Sequence, residues 1–523
     1  MSLWPRGPRR HSPGKPAWLL AVLLASLPLL AAEPMTPPGP ATPGLAAATV
    51  PLVARESAGD ARRNGFALLE TGLSALRARD ALLAAARDTI DAQYYIWNAD
   101  ASGRYLAARL LAAAERGVLV RVLLDDMNVA GRDGDLARLA AHPNVRIRVY
   151  NPGVRQGGIA RVFGFVRDFS RLNRRMHNKS LTVDGAVTIV GGRNIGDEYF
   201  DLHREANFRD RDVLAVGPVV ADVAASFEAF WTSPWSFPVA SLVDGPPPAA
   251  PPPAADGLAT ATAAVAAAGY VPPPGLEVHA EASILPGLEW APARLVYDPP
   301  PRPDQVDDTS SLQPVAAALR SLVDEARDEL LLESAYFILG DEAIALSRER
   351  VARGLRVRAL TNSLASNDLV TNHSGYARRR RAMLDAGIEL HELRPDAAAC
   401  ARLVQAAGTC AGGTAFALHS KSVVIDRQVL FVGSFNVNLR SAYLNSETVL
   451  VIDSPVLAGR VAGAIEELLQ PDSSWRVTLA DGGLQWEAAG PEGPVRTTRD
   501  PMTSGWRRVT AGFYGLFPLE KYL

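Results

Sequence analysis

The chain has 523 residues, of which 48% are hydrophobic, and its formal net charge at pH 7 is −2. This length predicts two or three domains, and the apolar content is sufficient for a large core. A chain so close to neutral is no general polycation, which argues against nucleic acid as the partner.

The N-terminal segment, residues 1–32, has the pattern of a targeting signal. Cationic side chains at Arg6, Arg9, Arg10 and Lys15 precede a short apolar run, residues 17–32. Positive charge followed by a short apolar core is typical of a secretory signal peptide, and an uncleaved signal anchor is the alternative. Either one predicts that the body lies outside the cytoplasm, on the periplasmic face of the inner membrane.

Segments rich in proline and alanine predict the domain boundaries. We expect a disordered linker, a first half, a polyproline-like linker, a second half and a C-terminal tail. Their predicted bounds are residues 33–60, 61–243, 244–275, 276–480 and 481–523.

The C-terminal tail has a recurring apolar pattern. Trp506, Val509, Phe513 and Phe517 are spaced as on one side of a helix, beside cationic residues. This pattern predicts a membrane-interfacial segment, and a tail that packs back onto the domain is the alternative.

The two halves share one order of predicted elements. From Ala86 and again from Ala326, the sequence gives a buried strand, a helix, an Arg-Gly turn and a second buried strand. Strands that alternate with helices in this way indicate βαβ units. We therefore predict an α/β fold of two tandem sandwich halves, related by pseudo-two-fold symmetry, with one shared active site.

One motif occurs in both halves. The stretch HNKSLTVDGAVTIVGGRN begins at His177, and HSKSVVIDRQVLFVGSFN begins at His419, 242 positions later. A repeat at a fixed offset indicates a duplicated unit. Further identities at this offset are Lys179 and Lys421, Asp184 and Asp426, Gly191 and Gly433, and Asn194 and Asn436.

The residue types in the motif suit chemistry on a phosphate. Residues i and i+2 of a strand face one side, so each histidine lies beside its lysine. One half alone can attack or protonate, whereas two facing halves supply a nucleophile and a general acid on opposite sides of one atom. In-line displacement at phosphorus requires that arrangement.

Neither a metal nor a cofactor is expected. The sequence lacks HxH, HExxH and CxxC patterns, and the lysines supply the positive charge that a metal would bring. The two cysteines, Cys400 and Cys410, form a disulfide in an oxidising compartment or remain unpaired thiols.

The doubled HxKxxxxD pattern, followed by G[GS]xN, resembles the phospholipase D superfamily. From about Asn64 onward, stretches such as DAQYYIW, DFSRLNRRMHNKS and VGGRNIGDEYF are similar to bacterial cardiolipin synthases of the C type. The resemblance implies a phosphatidyltransferase that makes cardiolipin from two phospholipids through a phosphohistidine. The alternatives are a hydrolytic phospholipase D and, less favoured, a phosphodiesterase nuclease.

The same resemblance implies the partners. Phosphatidylglycerol is the expected substrate, with phosphatidylethanolamine as a second candidate, and the enzyme is expected at a membrane surface. A helper protein is a further candidate partner.

The resemblance also implies a role for each residue of the motif. His177 would be the nucleophile and His419 the general acid. Asp184 and Asp426 are counted with the catalytic set, although a turn cap is an equally good account of both. The residues expected to bind the phosphate oxygens are Lys179, Lys421, Asn194, Asn436 and Ser434.

Each half is further expected to orient its histidine with an acidic residue on a following strand. In the second half this residue is Glu447. In the first half the constant offset gives Glu205, whereas counting back from Pro218 gives Asp210. Asp210 is favoured because it directly precedes a predicted strand, as Glu447 does.

Overall fold

A computed structural model describes most of the chain after residue 43. The predicted targeting segment, residues 1–32, lies outside the described residues. The described ranges are 44–57, 59–60, 62–155, 167–245, 249, 251–274, 285, 287–404, 410, 415–517 and 520–522.

Strands and helices alternate in the first half. Short 3-10 helices connect them at Asp126–Asn128, Asp197–Tyr199 and Val239–Leu242. In chain order the elements are α1 (Leu45–Ser57), β1 (Arg63–Leu69), α2 (Gly72–Ala85), β2 (Thr89–Tyr94), α3 (Ala101–Glu115), β3 (Leu119–Asp125), α4 (Asp133–Leu139), β4 (Val145–Tyr150), α5 (Phe169–Asn173), β5 (Ser180–Val183), β6 (Val187–Gly191), β7 (Ala206–Arg209), β8 (Asp212–Val216), α6 (Val219–Trp231), β9 (Ser236–Pro238) and α7 (Ala254–Ala268).

The second half repeats this order and adds strands at its end. Its 3-10 helices are Pro303–Gln305 and Glu520–Tyr522. In chain order the elements are β10 (Glu289–Tyr297), α8 (Pro314–Glu325), β11 (Glu329–Ser334), α9 (Asp341–Ala352), β12 (Arg356–Asn362), α10 (Val370–Asp385), β13 (Glu389–Leu393), α11 (Cys400–Leu403), β14 (Ala415–Leu418), β15 (Lys421–Ile425), β16 (Val429–Gly433), α12 (Leu439–Tyr443), β17 (Thr448–Asp453), α13 (Pro455–Leu468), β18 (Ser474–Ala480), β19 (Gly483–Gly490), β20 (Gly493–Thr497) and α14 (Gly505–Tyr514).

The two sheets have the same order of equivalent strands, read in opposite directions from the β1–β10 pair where they meet. The first half runs β9-β4-β3-β2-β5-β6-β8-β1, and the second runs β10-β17-β16-β15-β11-β12-β13-β18-β19-β20. β2, β3 and β4 are parallel, as are β11, β12 and β13. Because β1 also pairs with β10, the two sheets join edge to edge. The predicted α/β fold with a repeated half is confirmed.

Buried apolar side chains form a core on each side of the sheets. Ile90 of β2 packs with α2 and α3 of the first half, and Leu330 of β11 packs with α8 and α9 of the second. A third cluster takes members from both halves, among them Val213 of β8 and Leu430 of β16. This shared core brings the two halves together at the ends of the strands that carry the motif.

Three of the predicted segments contain regular secondary structure. The linker of residues 33–60 contains α1, and the linker of residues 244–275 contains α7, which is buried at Val265. Alanine, which made both segments look unstructured, is also the best helix former, so each becomes helical where apolar residues find a contact. The C-terminal tail begins with β19 and β20, which extend the second sheet beyond Ala480.

The two cysteines are paired. Cys400, at the start of α11, forms a disulfide with Cys410, and their Cα atoms are 5.8 Å apart. Of the two alternatives for the cysteines, the structure shows the disulfide.

The disulfide is expected to be complete in exported protein. Iodoacetamide should add no mass without reduction and two alkyl groups after reduction, as measured by intact-mass spectrometry. The Cys400→Ser variant is the control and should take one alkyl group without reduction. Its free energy of unfolding should fall by about 2–3 kcal/mol, because the cross-link no longer restricts the unfolded chain. Two alkyl groups on unreduced wild-type protein would contradict the pairing.

Candidate active site

The two histidines lie at the junction between the halves. Met176, one residue before His177, forms a parallel bridge with Ser446, and the His177 amide donates to the Ser446 carbonyl oxygen at 2.9 Å. In the same way β14 pairs in parallel with β7, and the His419 amide donates to the Arg209 carbonyl oxygen at 2.7 Å. Main-chain hydrogen bonds therefore attach each histidine to the opposite half.

Each imidazole contacts a carboxylate of the opposite half. His177 Nδ1 lies 2.8 Å from Glu447 Oε2, and His419 Nδ1 lies 2.5 Å from Asp210 Oδ2. Both carboxylates are completely buried, whereas Glu205, the alternative left open by the sequence, is exposed. The expected pairing within each half is wrong, because each histidine is attached next to the other half's acid.

Burial and neighbouring charges set the protonation of these groups. Burial lowers the pKa of His177 to about 4, although Glu447 opposes the shift. Burial and the Lys421 charge together lower the pKa of His419 to about 3. Burial alone would raise the pKa of Asp210, but Lys421 and His419 outweigh it, and the pKa is about 2. At neutral pH each imidazole is neutral, donates from Nδ1 to a charged carboxylate and keeps a lone pair on Nε2.

Two lysines lie close enough to both imidazoles to influence their charge. Lys179 Nζ donates to the His177 carbonyl oxygen at 2.6 Å, and Lys421 Nζ lies 2.8 Å from His419 Nδ1. Burial lowers the pKa of Lys421 to about 8 and the pKa of Lys179 well below its usual range. A bound anion would favour the charged form of both amines. Among the described residues, no three His, Cys, Asp or Glu side chains are grouped so that they could hold a metal ion.

The two asparagines of the motif differ in their contacts. Asn194 Oδ1 accepts from the Ile96 amide at 3.1 Å, and Asn194 Nδ2 donates to the Tyr199 hydroxyl at 3.0 Å. Asn436 is also buried, but its Oδ1 has no hydrogen-bond partner in the described part of the chain. Asn436 therefore keeps an acceptor that is unpaired among the described residues, whereas both amide atoms of Asn194 already have hydrogen-bond partners.

Ser434 positions Glu447. Its hydroxyl donates to Glu447 Oε2 at 2.6 Å and accepts from the Thr448 amide at 2.9 Å. This contact argues against the predicted phosphate-binding role of Ser434, because its proton is already donated. The first-half counterpart is Gly192, where an added Cβ would lie 2.2 Å from Asp210 Oδ1. A serine at this position would displace the carboxylate, which accounts for the glycine.

The two aspartates of the motif lie at the far ends of the strands. Asp184 accepts from the backbone amides of residues 87–89 at 2.8 to 3.2 Å, and Asp426 accepts from those of residues 327–329 at 2.8 to 2.9 Å. Extended chain of roughly 16 Å separates each aspartate from the lysine of its motif. These contacts favour the turn-cap account of Asp184 and Asp426 over a direct catalytic role. They cap the backbone where β2 and β11 begin.

Aromatic rings that the sequence did not single out pack against both imidazoles. The Tyr95 ring lies 5.0 Å from the His177 ring, and the rings of Tyr199 and Phe208 lie 5.1 and 5.3 Å from the His419 ring, between centroids. Burial raises the pKa of Tyr95 to about 12, so its hydroxyl stays protonated at neutral pH. These rings reduce the access of water to the imidazoles.

Two further residues position the histidine segments. Asp125 Oδ2 accepts from the Met176 amide at 2.9 Å, and Asn362 Oδ1 accepts from the Leu418 amide at 2.8 Å. Met176 and Leu418 each precede a histidine. The sequence could have identified both residues, because a polar side chain ends a buried strand at the same place in each half: Asp125 ends β3 and Asn362 ends the equivalent strand β12.

These features define a class of protein. Two tandem α/β halves meet at one buried pocket, and each half supplies one imidazole, one ammonium group and one carboxylate. This is the doubled site of a phospholipase D-type protein, as the resemblance in the motifs implied.

Comparisons with known proteins agree with this class. A family model described as cardiolipin synthase, PLD-like domain, matches residues 80–231 and 319–469. The chain is 38% identical to cardiolipin synthase C of Escherichia coli K12 over 91% of this chain and 99% of that protein. It is 26% identical to cardiolipin synthase A of Pseudomonas entomophila over 78% of this chain and 68% of that protein. The crystal structure of phosphatidylserine synthase from Haemophilus influenzae shares the fold, with a TM-score of 0.56, 12% identity and coverage of 90% of this chain and 100% of that one.

The chain belongs to the phospholipase D-like cardiolipin synthase family. The family model matches more than half of the chain, and each matched segment contains one of the two histidines. The resemblance stated from the motifs is thereby confirmed.

The crossed contacts predict a specific pattern of effects on the two imidazoles. Glu447→Gln should move the Nδ1–H resonance of His177 upfield, because a neutral amide is a weaker acceptor than a carboxylate, and should leave His419 unchanged. Asp210→Asn should do the reverse. NMR of protein labelled with ¹⁵N-histidine measures both, and Glu205→Gln, at an exposed acid, is the control. An effect of each substitution on the histidine of its own half would contradict the crossed arrangement.

Proposed function

We propose that this chain is a phosphatidyltransferase that joins two phospholipids into cardiolipin through a phosphohistidine. The observation that supports this function is the pair of crossed carboxylate–imidazole contacts, which prepares two imidazoles in one pocket for opposite roles. Membership of the cardiolipin synthase family supports the same reaction. Phosphatidylglycerol is the proposed substrate, and phosphatidylethanolamine is a second candidate donor.

The first step forms the phosphohistidine. His177 Nε2 attacks the phosphorus of one phospholipid, so that a P–N bond forms and the bond from phosphorus to the headgroup oxygen breaks. Glu447 stabilises the imidazolium that results, because it accepts the hydrogen bond from Nδ1. His419 gives its proton to the departing oxygen. The anionic substrate raises the pKa of His419 from its low value and so allows this imidazole to carry the proton.

The second step transfers the phosphatidyl group. A glycerol hydroxyl of the second phospholipid attacks the phosphohistidine and loses its proton to His419, the new P–O bond forms, and the P–N bond breaks. Lys179 and Lys421 balance the negative charge on the phosphate oxygens during both steps. Water in place of the second lipid would give hydrolysis. The rings of Tyr95 and Tyr199 against the imidazoles favour transfer, because they limit the entry of water.

We place the enzyme at the membrane surface, on the periplasmic face of the inner membrane. No helix in the described ranges has the length and apolar character needed to cross a bilayer. Helix α14 and the turn after it carry five exposed apolar side chains on the side opposite the buried Ala511, and this surface is called the C-terminal face. Its members are Trp506, Val509, Phe513, Leu516 and Phe517. An exposed apolar stripe of this kind supports binding in the interface of a bilayer.

Loss of either histidine is expected to abolish transfer. His177→Ala and His419→Ala should each lower the rate of cardiolipin formation by at least about 10⁴-fold, whereas Asp210→Asn, which leaves both imidazoles in place, should lower it by about 10²-fold. Mass spectrometry of lipids, after incubation of purified variants with phosphatidylglycerol vesicles, measures the rates. Exposed Glu205→Gln is the matched control and should behave as wild type.

The same assay distinguishes the alternatives. Radiolabelled phosphorus from the substrate should be recovered, after an alkaline quench, on the peptide that contains His177, and label on the His419 peptide would reverse the two roles. Near-normal cardiolipin formation by His177→Ala would contradict the mechanism. Phosphatidic acid as the main product would indicate hydrolysis, and a rate that rises on addition of cell extract would indicate a helper protein.

The C-terminal face is expected to enter the bilayer. Trp506 is 78% exposed, so its fluorescence should be quenched when the full chain binds phosphatidylglycerol vesicles with brominated acyl chains. Trp506→Phe should remove most of this quenching, whereas Trp290→Phe, at a partly buried site, should retain it. Equal quenching in the two variants would show that another surface contacts the lipid.

A further inference from the structure

An apolar cavity lies on the outer side of the second half, between α8 and α9. Its volume is about 440 Å³, within the range of ~300–1,000 Å³ that is typical of small-ligand sites. The proposed reaction assigns it no role. Lining side chains include Leu319, Leu332, Phe337, Leu346, Phe435 and Leu439.

The equivalent groove of the first half is filled by the chain itself. Helix α7 lies along α3, where the Ala254 amide donates to Glu115 at 2.7 Å and the Tyr270 hydroxyl donates to Asp80 Oδ2 of α2 at 2.8 Å. Nine of the 15 residues of α3 are buried, whereas Ile344 alone is buried among the 12 residues of α9. No described element covers α9 as α7 covers α3. The two halves therefore differ at this groove.

The α8–α9 cavity and the active site share one segment of chain. Phe435, which lines the cavity, is next to Asn436 in the chain, and Leu439 at the start of α12 lines it as well. Two residues further on, Ser441 donates to Glu447 Oε1 at 2.6 Å. One short segment therefore forms a wall of the cavity and also fixes the carboxylate that binds His177.

The rim of the cavity is charged and adjoins the C-terminal segment. Arg379 at the rim pairs with Asp341 at 2.5 Å and lies 3.7 Å from Glu520. Lys521 Nζ lies 5.1 Å from the ring centre of Tyr443, which also lines the cavity. The chain that follows the C-terminal face thus borders the opening.

We propose that the α8–α9 cavity binds one acyl chain of the phospholipid whose phosphodiester lies between the histidines, an inference that rests on the proposed function. An acyl chain fills an apolar interior without hydrogen bonds, and its ester end remains at the charged rim. A helix such as α7 fits this groove less well, because Arg320 stands where Asp80 binds Tyr270 in the first half. The cavity thereby gives the two phospholipids of the transfer different binding sites.

The test fills the cavity and varies the length of the acyl chains. Ala343→Trp places an indole in the cavity, and Ala345→Trp, on the exposed side of the same helix, is the matched control. With dioleoyl phosphatidylglycerol, the KM of Ala343→Trp should be about tenfold or more above that of the control. With dihexanoyl phosphatidylglycerol, whose chains are too short to depend on the cavity, the two variants should have equal rates.

Direct binding separates this inference from the proposed reaction. The full chain should enhance the fluorescence of cis-parinaric acid, a long-chain fatty acid, and Ala343→Trp should lose this enhancement while Ala345→Trp keeps it. Equal KM values for the two variants, or parinaric acid binding that Ala343→Trp leaves unchanged, would overturn the acyl site. A dimer that Ala343→Trp dissociates, without parinaric acid binding, would assign the cavity to a second copy. Parinaric acid binding by protein that forms no cardiolipin would overturn the reaction and leave the acyl site standing.

Discussion

The contact between each imidazole and a carboxylate of the opposite half is the constraint on which the rest of the structure depends. A buried charge without a partner costs several kcal/mol, so Asp210 and Glu447 need the histidine and lysine that face them, together with hydrogen bonds from nearby residues. Neither half contains both members of either contact. The shared core, the β7–β14 pair and the bridge at Met176 bring the members together, and the halves have to be joined before any site exists.

The motif predicted that each histidine lies beside its lysine, because residues two apart on one strand face the same side whatever the rest of the fold is. The acids were harder to place, since Asp210 and Glu447 are 237 positions apart and the motif offset is 242. Local sequence does not show that each carboxylate contacts the histidine of the other half, because this depends on which strands of the two halves pair in the folded protein. Asp184 was counted with the catalytic set for a different reason. A repeat preserves the residues that a fold needs as faithfully as those that its chemistry needs.

Composition and pattern predicted the α/β fold class, but they did not predict the helices inside the segments rich in alanine and proline. Segments rich in alanine and proline gave two linkers, yet α1 and α7 lie within them. Alanine is compatible with both low complexity and a stable helix, and the outcome is decided by whether a side chain such as Val265 finds an apolar surface. That surface belongs to α3, about 150 residues away in the chain. The residues near Val265 in the chain therefore do not show whether this segment forms a helix.

The pairing of β1 with strands of both halves restricts how the molecule can move. Gly65 is in register with Val216 on one side and with Trp290 on the other, so a rotation of one half against the other would break main-chain hydrogen bonds. Enzymes that close around their substrates use a hinge between domains, and a continuous sheet offers none at this position. The pairing therefore limits how far the separation of the two imidazoles can change. Lipids would therefore enter and leave a pocket whose two halves are joined by main-chain hydrogen bonds between β1 and β10.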